Sequence, residues 1–246
     1  MKKNFAVFRY SDQKVIPLYA TESVKGTFRE AVKMYPTESV SKRVVDVIFS
    51  LLVLTLGLPF FLLLASLIKL TSEGPVLFVQ QRVGIDGKPF RFYKFRTMTV
   101  DNSDISHRDF AADFITGKEM DSRAEMERPV YKLKSDPRVT SIGRFLRRTS
   151  LDELPQFINV LRGEMTVVGP RPPVIYELPH YKEWHRGRLL VKPGLTGLWQ
   201  VSGRSTVPFD EMVMLDLYYI ENWSLSLDLK IIMRTVPVMV FGTGAY

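Results

Sequence analysis

Two adjacent carboxylates, Asp152 and Glu153, follow two arginines and precede a proline in "RRTSLDELPQF", Arg147 to Phe157. Read for local structure alone, this stretch begins a helix. Ser150 followed three residues later by Glu153 fits a capping box, and Asp152 falls where the helix dipole favours an anion. Pro155 complicates that reading, because at that depth its missing donor is already needed. Either the helix starts nearer Leu154, with Pro155 at its first position, or its start is distorted.

Read for chemistry, the same residues fit phosphoryl transfer. An aspartate can attack phosphorus and carry the group as an aspartyl phosphate. Beside an anionic substrate, two carboxylates need charge neutralisation. Mg2+ and arginines in two-point contact with phosphate supply it. Lys94, Arg96, Arg147, Arg148, Arg171 and Arg204 all lie near Gly- or Pro-rich stretches or near the pair. None is specific alone, since charged runs more often form solvated faces. Rival phosphate signatures are missing: there is no Gly-x-x-x-x-Gly-Lys-Ser/Thr, no Gly-x-Gly-x-x-Gly and no Asp-x-Asp.

The remaining composition narrows the class. A chain of 246 residues fits one ordinary domain, alone or with a small appendage. With no cysteine, disulfides, thiolate metal sites and cysteine catalysis are excluded. His107, His180 and His185 are too scattered for a zinc site, and the last two read as surface histidines. The net charge of +8 points to an anionic partner.

One segment decides which partner. Val47 to Ile68 runs for 22 residues without a charge. As an unbroken helix it would reach about 33 Å, enough for a hydrocarbon core of about 30 Å. It starts too late for a signal peptide and lacks a cleavage pattern. Nucleic acid has no use for such a run, so membrane lipid is the expected partner. Gly57 and Pro59 interrupt it, leaving halves of about 18 and 15 Å. Lys42, Arg43 and Lys69 flank it without strong asymmetry. A kinked spanning helix and a re-entrant hairpin both remain open on these grounds.

The elements that must hold the carboxylates follow. "VLFVQQRVG" and "PFRFYKFRTM" alternate as strands around a "DGK" turn and form a hairpin. Residues 101–135 mix eight acidic with six basic residues and read as a mobile excursion with short helical pieces. Arg144, Arg147 and Arg148 share one helical face. "LPQFINVLRGEM" is a short helix ending near Gly163, and "YELPHYKEWHRGRLLV" is helical after its proline. Residues 209–221 and 228–241 are helical in period. Trp184, Trp199 and Trp223 are candidate interfacial anchors, with at least one in the core. The expected fold is a helix-rich α/β domain against a membrane. Its divisions are a 1–41 N-terminal arm, a 42–69 membrane element and a 70–246 catalytic domain.

"KFRTM" (94–98), "RRTSLDELPQFINVLRGEMTVVGPRP" (147–172) and "KPGLTGLWQVSGR" (192–204) closely resemble the bacterial sugar transferase family, in its order. The resemblance runs from about Lys42 to the C-terminus. The C-terminal segment looks like the longer exopolysaccharide and O-antigen branch; the first 40 residues depart from that branch and from the smallest catalytic core. The resemblance implies a monotopic polyprenyl-phosphate phosphoglycosyl transferase. Such an enzyme moves a sugar-1-phosphate from a UDP-sugar to undecaprenyl phosphate, releasing UMP and starting capsule, exopolysaccharide or lipopolysaccharide assembly.

By the same resemblance, Asp152 is the nucleophile. Glu153 is the Mg2+ ligand, with Asp152 as a second candidate. Lys94, Arg147, Arg171 and Arg204 contact phosphate or nucleotide; Arg96, Arg148 and Gln200 are weaker candidates. The membrane element is a re-entrant helix-break-helix with its break near Pro59 and Gly57, although Leu58 stands where small-core members often have serine. The catalytic domain faces the cytoplasm at the bacterial inner membrane. A second copy and downstream glycosyltransferases are further partners. Two rival functions stay open: a membrane-anchored glycosyltransferase releasing UDP, and a non-catalytic scaffold for polysaccharide assembly.

Overall fold

The uncharged run folds as two helices, α1 (Val40–Leu56) and α2 (Leu58–Thr71), bent by 62°. The computed structural model describes residues 6–9, 15–18, 39–99, 105–117, 138–203 and 207–241. Among these, no single helix is long and apolar enough to cross a membrane, but the bent pair passes together. The bend centres on Gly57, and Pro59 sits in the first turn of α2, where helix N–H groups lack intrahelical partners in any case. A Cβ at residue 57 would lie 2.5 Å from the Val53 carbonyl oxygen and 2.8 Å from the Phe61 ring. Only glycine fits that approach.

Both ends of the pair dock on one body. Lys42, Asp46 and Ser50, four residues apart, form the buried stripe of α1. Lys42 Nζ donates to Asp228 Oδ2 at 2.6 Å, to the Val168 carbonyl at 3.0 Å and to Tyr219 Oη at 3.2 Å. Asp46 accepts from the Thr166 hydroxyl at 2.7 Å and the Val167 N–H at 2.9 Å. Arg43 donates to the Val160 and Leu161 carbonyls at 2.6 and 2.8 Å. Lys42 and Arg43 are thus internal ties, whereas Lys69 is exposed and donates to the Gly74 carbonyl at 3.2 Å. At the other end, Leu64 and Ile68 pack with Phe95 and Leu146. Between the docked ends, Leu52, Leu56, Leu58, Leu62, Leu63 and Leu67 stay exposed.

The expected hairpin forms: β3 (Leu77–Val83) pairs antiparallel with β4 (Pro89–Phe95). Further along come α3 (Ile105–Thr116), α4 (Ser141–Thr149) and α5 (Gln156–Arg162), with Gly163 closing α5 in the left-handed region at φ 77°. β5 (Thr166–Val168) pairs parallel with β6 (Gly194–Thr196). Here the two glycine-rich motifs cross, and a Cβ on Gly194 would fall 2.0 Å from the Gly169 nitrogen. α6 (Leu198–Ser202), α7 (Phe209–Glu221) and α8 (Leu225–Phe241) complete the order. The main core gathers Phe92, Phe157, Val160, Met165, Trp199, Val213 and Tyr219. The fold is helix-rich, with a bent N-terminal helix pair and a small antiparallel hairpin, as expected.

Several local readings need correction. Ser150 does not form the capping box: it lies in the left-handed region (φ 56°, ψ 18°) and its side chain makes no cap bond. "YELPHYKEWHRGRLLV" folds as two 3-10 segments, Ile175–His180 and Glu183–Leu190, and Pro179 lies inside the first. His185 is not a surface residue. It is fully buried, with Nδ1 accepting from the Lys182 N–H at 3.1 Å and Nε2 3.0 Å from Asp210 Oδ1. Trp199 is core, while Trp184 and Trp223 are half-buried. Of the N-terminal arm, β1 (Ala6–Arg9) and β2 (Val15–Leu18) pair antiparallel. The rest of the arm up to residue 38 lies outside the described residues, as does the 101–135 excursion apart from 105–117.

Candidate active site

The carboxylates sit where α4 is forced to turn. Thr140 opens α4, its side chain accepting from the Gly143 N–H at 3.0 Å. Gly143 packs so closely that a Cβ would lie 2.1 Å from the Thr97 carbonyl oxygen, seating α4 against the end of β4. Ser150 then reverses the chain. A non-glycine residue in this conformation costs about 1 kcal/mol or more and recurs at sites where position matters. The 3-10 turn Leu151–Glu153 follows, and Pro155 caps α5. The helix therefore begins beyond the carboxylates, as one of the two sequence alternatives had it.

Four charged side chains converge there. Lys94 Nζ, from β4, lies 2.7 Å from Glu153 Oε1 and 3.7 Å from Asp152 Oδ2. Arg171, from the loop after β5, places Nη2 3.0 Å from Glu153 Oε1 and Nη1 3.4 Å from Oε2. Asp152 is buried, at 7 % exposure. Burial alone would raise the Glu153 pKa. The charges of Arg171 and then Lys94, with their hydrogen bonds, outweigh it and hold this carboxyl well below the usual range. Glu153 is therefore an anion fixed between two cations.

The other expected residues are distributed unevenly. Arg147, in the last turn of α4, donates through Nε to Thr97 Oγ1 at 2.9 Å, which ties it to the residue three beyond Lys94. Arg96 is buried and bonds to Ser72 at the end of α2. Arg148 is exposed, and Gln200 turns its amide to the Leu195 carbonyl at 3.4 Å. Arg204 lies outside the described residues.

Two supporting residues were not foreseen. Thr97 lay inside the quoted "KFRTM" motif but carried no charge to draw notice. Arg188 had no sequence signal at all. It is buried, its Nη2 lies 2.5 Å from Asp216 Oδ2, and it donates to the Arg171 carbonyl at 3.3 Å. Through that carbonyl it braces the residue that clamps Glu153.

Comparison with known proteins bears on the chain as a whole. The family model described as "Bacterial sugar transferase" matches residues 37–242. The galactosyl transferase CpsE of Streptococcus agalactiae serotype III (strain NEM316) is 44 % identical over 208 residues, covering 84 % of this chain and 43 % of that protein. The undecaprenyl-phosphate galactose phosphotransferase of Salmonella typhimurium is 44 % identical over 206 residues, or 83 % of this chain and 41 % of that protein. The exopolysaccharide production protein ExoY of Sinorhizobium fredii is 40 % identical over 230 residues, 92 % of this chain and 99 % of that protein. The chain thus spans less than half the length of the first two and nearly all of the third. With most of its length matched by the family model, and with a 40 % identical relative covered almost end to end, the chain belongs to the bacterial sugar transferase family.

Proposed function

We propose that this protein is a phosphoglycosyl transferase that moves a sugar-1-phosphate from a UDP-sugar to polyprenyl phosphate and releases UMP. The observation that carries the reading is the carboxylate pair of a family member held by Lys94 and Arg171. An Asp152 oxygen attacks the β-phosphorus, and the bond to the bridging oxygen breaks, so UMP leaves with that oxygen. A phosphosugar-aspartate remains. A lipid phosphate oxygen then attacks the same phosphorus, the aspartyl bond breaks, and the product is a polyprenyl diphosphate sugar. Lys94 faces both carboxylates and offsets their charge as the anionic donor approaches. Arg147 and Arg204 serve as phosphate contacts, and Arg171 keeps Glu153 in place.

We propose Mg2+ as the cofactor, from the chemistry of two adjacent carboxylates beside a diphosphate. Among the described residues no group of three or more His, Cys, Asp or Glu could form a cage. Two adjacent carboxylates leave room for diphosphate oxygens and water, the usual ligand mix of this ion. Glu153, with Asp152, would hold it, and its chemistry there is charge neutralisation at the diphosphate.

The helix pair supports a re-entrant membrane element. Its first stripe and its last turns dock on the same domain, which supports a chain that enters and leaves on one side. Its two helices are about 26 and 21 Å long, each short of a hydrocarbon core of about 30 Å. We place the domain on the cytoplasmic face of the bacterial inner membrane, where UDP-sugars are made.

Incubation with a UDP-sugar panel, without acceptor, tests the mechanism. A phosphosugar adduct on Asp152 by mass spectrometry is expected, absent in Asp152→Asn. With polyprenyl phosphate then added, UDP as product would replace the reading with simple sugar transfer, and no nucleotide release would leave a scaffold. Turnover in chelator would remove the metal.

A further inference from the structure

An acceptor for this reaction must bring an anionic phosphate and an apolar tail to one side of Asp152. This inference rests on the function proposed above. One face of the β3–β4 hairpin offers both features. Directly opposed residues of an antiparallel pair share a face, and Phe78 is opposite Lys94. Arg96 extends that face: its N–H donates to the Val76 carbonyl at 2.9 Å, carrying the ladder one step past β4. Phe78, Lys94 and Arg96 therefore line the same side.

Arg96 is only 6 % exposed. Its Nη2 donates to the Ser72 carbonyl and hydroxyl, both at 2.8 Å, where α2 ends. That bond explains one nitrogen. Nε and Nη1 are also buried and meet no hydrogen-bond partner among the described residues. A buried guanidinium left half-satisfied is costly, and phosphate is the anion its planar fork fits best. The position is apt, because Ser72 marks the point where the apolar helix pair returns to the domain.

Phe78 supplies the second feature. It is 47 % exposed. A large aromatic side chain facing outward beside an active-site lysine has no packing role to explain it. It is a surface for hydrocarbon.

We infer that Arg96 and Phe78 form the acceptor subsite, Arg96 holding the lipid phosphate and Phe78 the first isoprene units. Arg96 is buried in this structure, so acceptor binding must uncover its guanidinium. Lys94 lies between the two, which directs the phosphate toward the phosphosugar on Asp152.

Titration with farnesyl phosphate, inorganic phosphate and farnesol tests the subsite without any turnover. The intact protein is expected to bind farnesyl phosphate more tightly than either fragment. Arg96→Gln should weaken it by about tenfold or more, the loss of a charge-assisted bond pair. Phe78→Ser should weaken farnesyl phosphate and leave inorganic phosphate unchanged. In turnover, Phe78→Ser should form the adduct from UDP-sugar at the parent rate and slow only in transfer to lipid, and Arg96→Gln should slow transfer to lipid more than adduct formation. Adduct formation also certifies that Arg96→Gln is folded, and Phe78 is too exposed for its loss to unfold the chain. Unchanged farnesyl phosphate binding in Arg96→Gln, farnesol or inorganic phosphate binding as tightly as farnesyl phosphate, or equal slowing of both half-reactions would overturn the inference. Loss of the Asp152 adduct in the parent protein would sink the nucleophile assignment instead, and the binding result would still stand.

Discussion

Lys94 Nζ lies 1 Å closer to Glu153 than to Asp152, at 2.7 against 3.7 Å, while Arg171 closes on Glu153 from the other side. The two neighbouring carboxylates therefore have different surroundings: Glu153 shares two cations, whereas the shorter contact of Lys94 is not with Asp152. Replacing Lys94 by Met removes the cation that faces both. UMP release is expected to fall by about a hundredfold or more, the loss typical of one preorganised charge contact. Activity within threefold of the parent would show that Lys94 is only structural.

The acidity of Glu153 has a consequence for stability. Its folded pKa lies below the ordinary carboxylate value, so the stabilisation it confers is present above that value. It is lost as pH falls below the ordinary range toward the folded pKa. Thermal denaturation of the parent and Glu153→Gln from pH 7 to 3.5 should show the parent's advantage shrinking on the acid side. A gap constant across that range would contradict the ion-pair account.

The bend belongs to Gly57. With no native cysteine, single cysteines at Ser39 and Lys69 can be labelled cleanly from each side. Both should label from one face in the parent and in Pro59→Ala, since Pro59 lies in the first turn of α2. Gly57→Val should disturb the pattern, because its side chain meets the Val53 carbonyl and the Phe61 ring. An undisturbed pattern in Gly57→Val would move the determinant elsewhere.

Lys42 and Asp228 form a buried pair, with side chains 10 % and 8 % exposed. Removing either partner strands a charge, so Lys42→Met or Asp228→Asn should destabilise by about 3–5 kcal/mol. Unfolding in detergent would measure it. The double variant should lose much less than the sum.

Arg188 braces Arg171 through its carbonyl. Arg188→Lys keeps the charge but not the planar fork. The expected result is a drop of about tenfold in kcat with the KM for UDP-sugar nearly unchanged, the pattern of lost positioning. A change in thermal stability alone would mark Arg188 as structural.

Much of this site was legible in the sequence because charge and punctuation mark it. Asp152, Glu153, Lys94 and Arg171 stood in quoted motifs, and the hairpin followed from alternation around a tight turn. What escaped notice depends on distant neighbours. Ser150 looked like a cap because Ser and Glu three apart usually are one. The docking of α4 onto Thr97 instead drives the chain through a left-handed residue. His185 looked exposed because periodicity says nothing of a 3-10 segment closed over by Phe209 and Trp184. Lys42 and Arg43 looked like membrane flanks because their partners lie more than a hundred residues away.

Those distant partners bear on how the protein can be handled. Cutting the chain after α2 to obtain a soluble fragment would strip Asp228 of its lysine and the Val160 and Leu161 carbonyls of their arginine. It would also leave the Thr166 hydroxyl and the Val167 N–H without the Asp46 carboxylate. The hydrophobic element is not a tether that a protease or a cloning boundary can remove. It is a keystone, and a preparation without detergent or bilayer would have to leave the exposed leucines of the helix pair in water in order to keep the reaction centre intact.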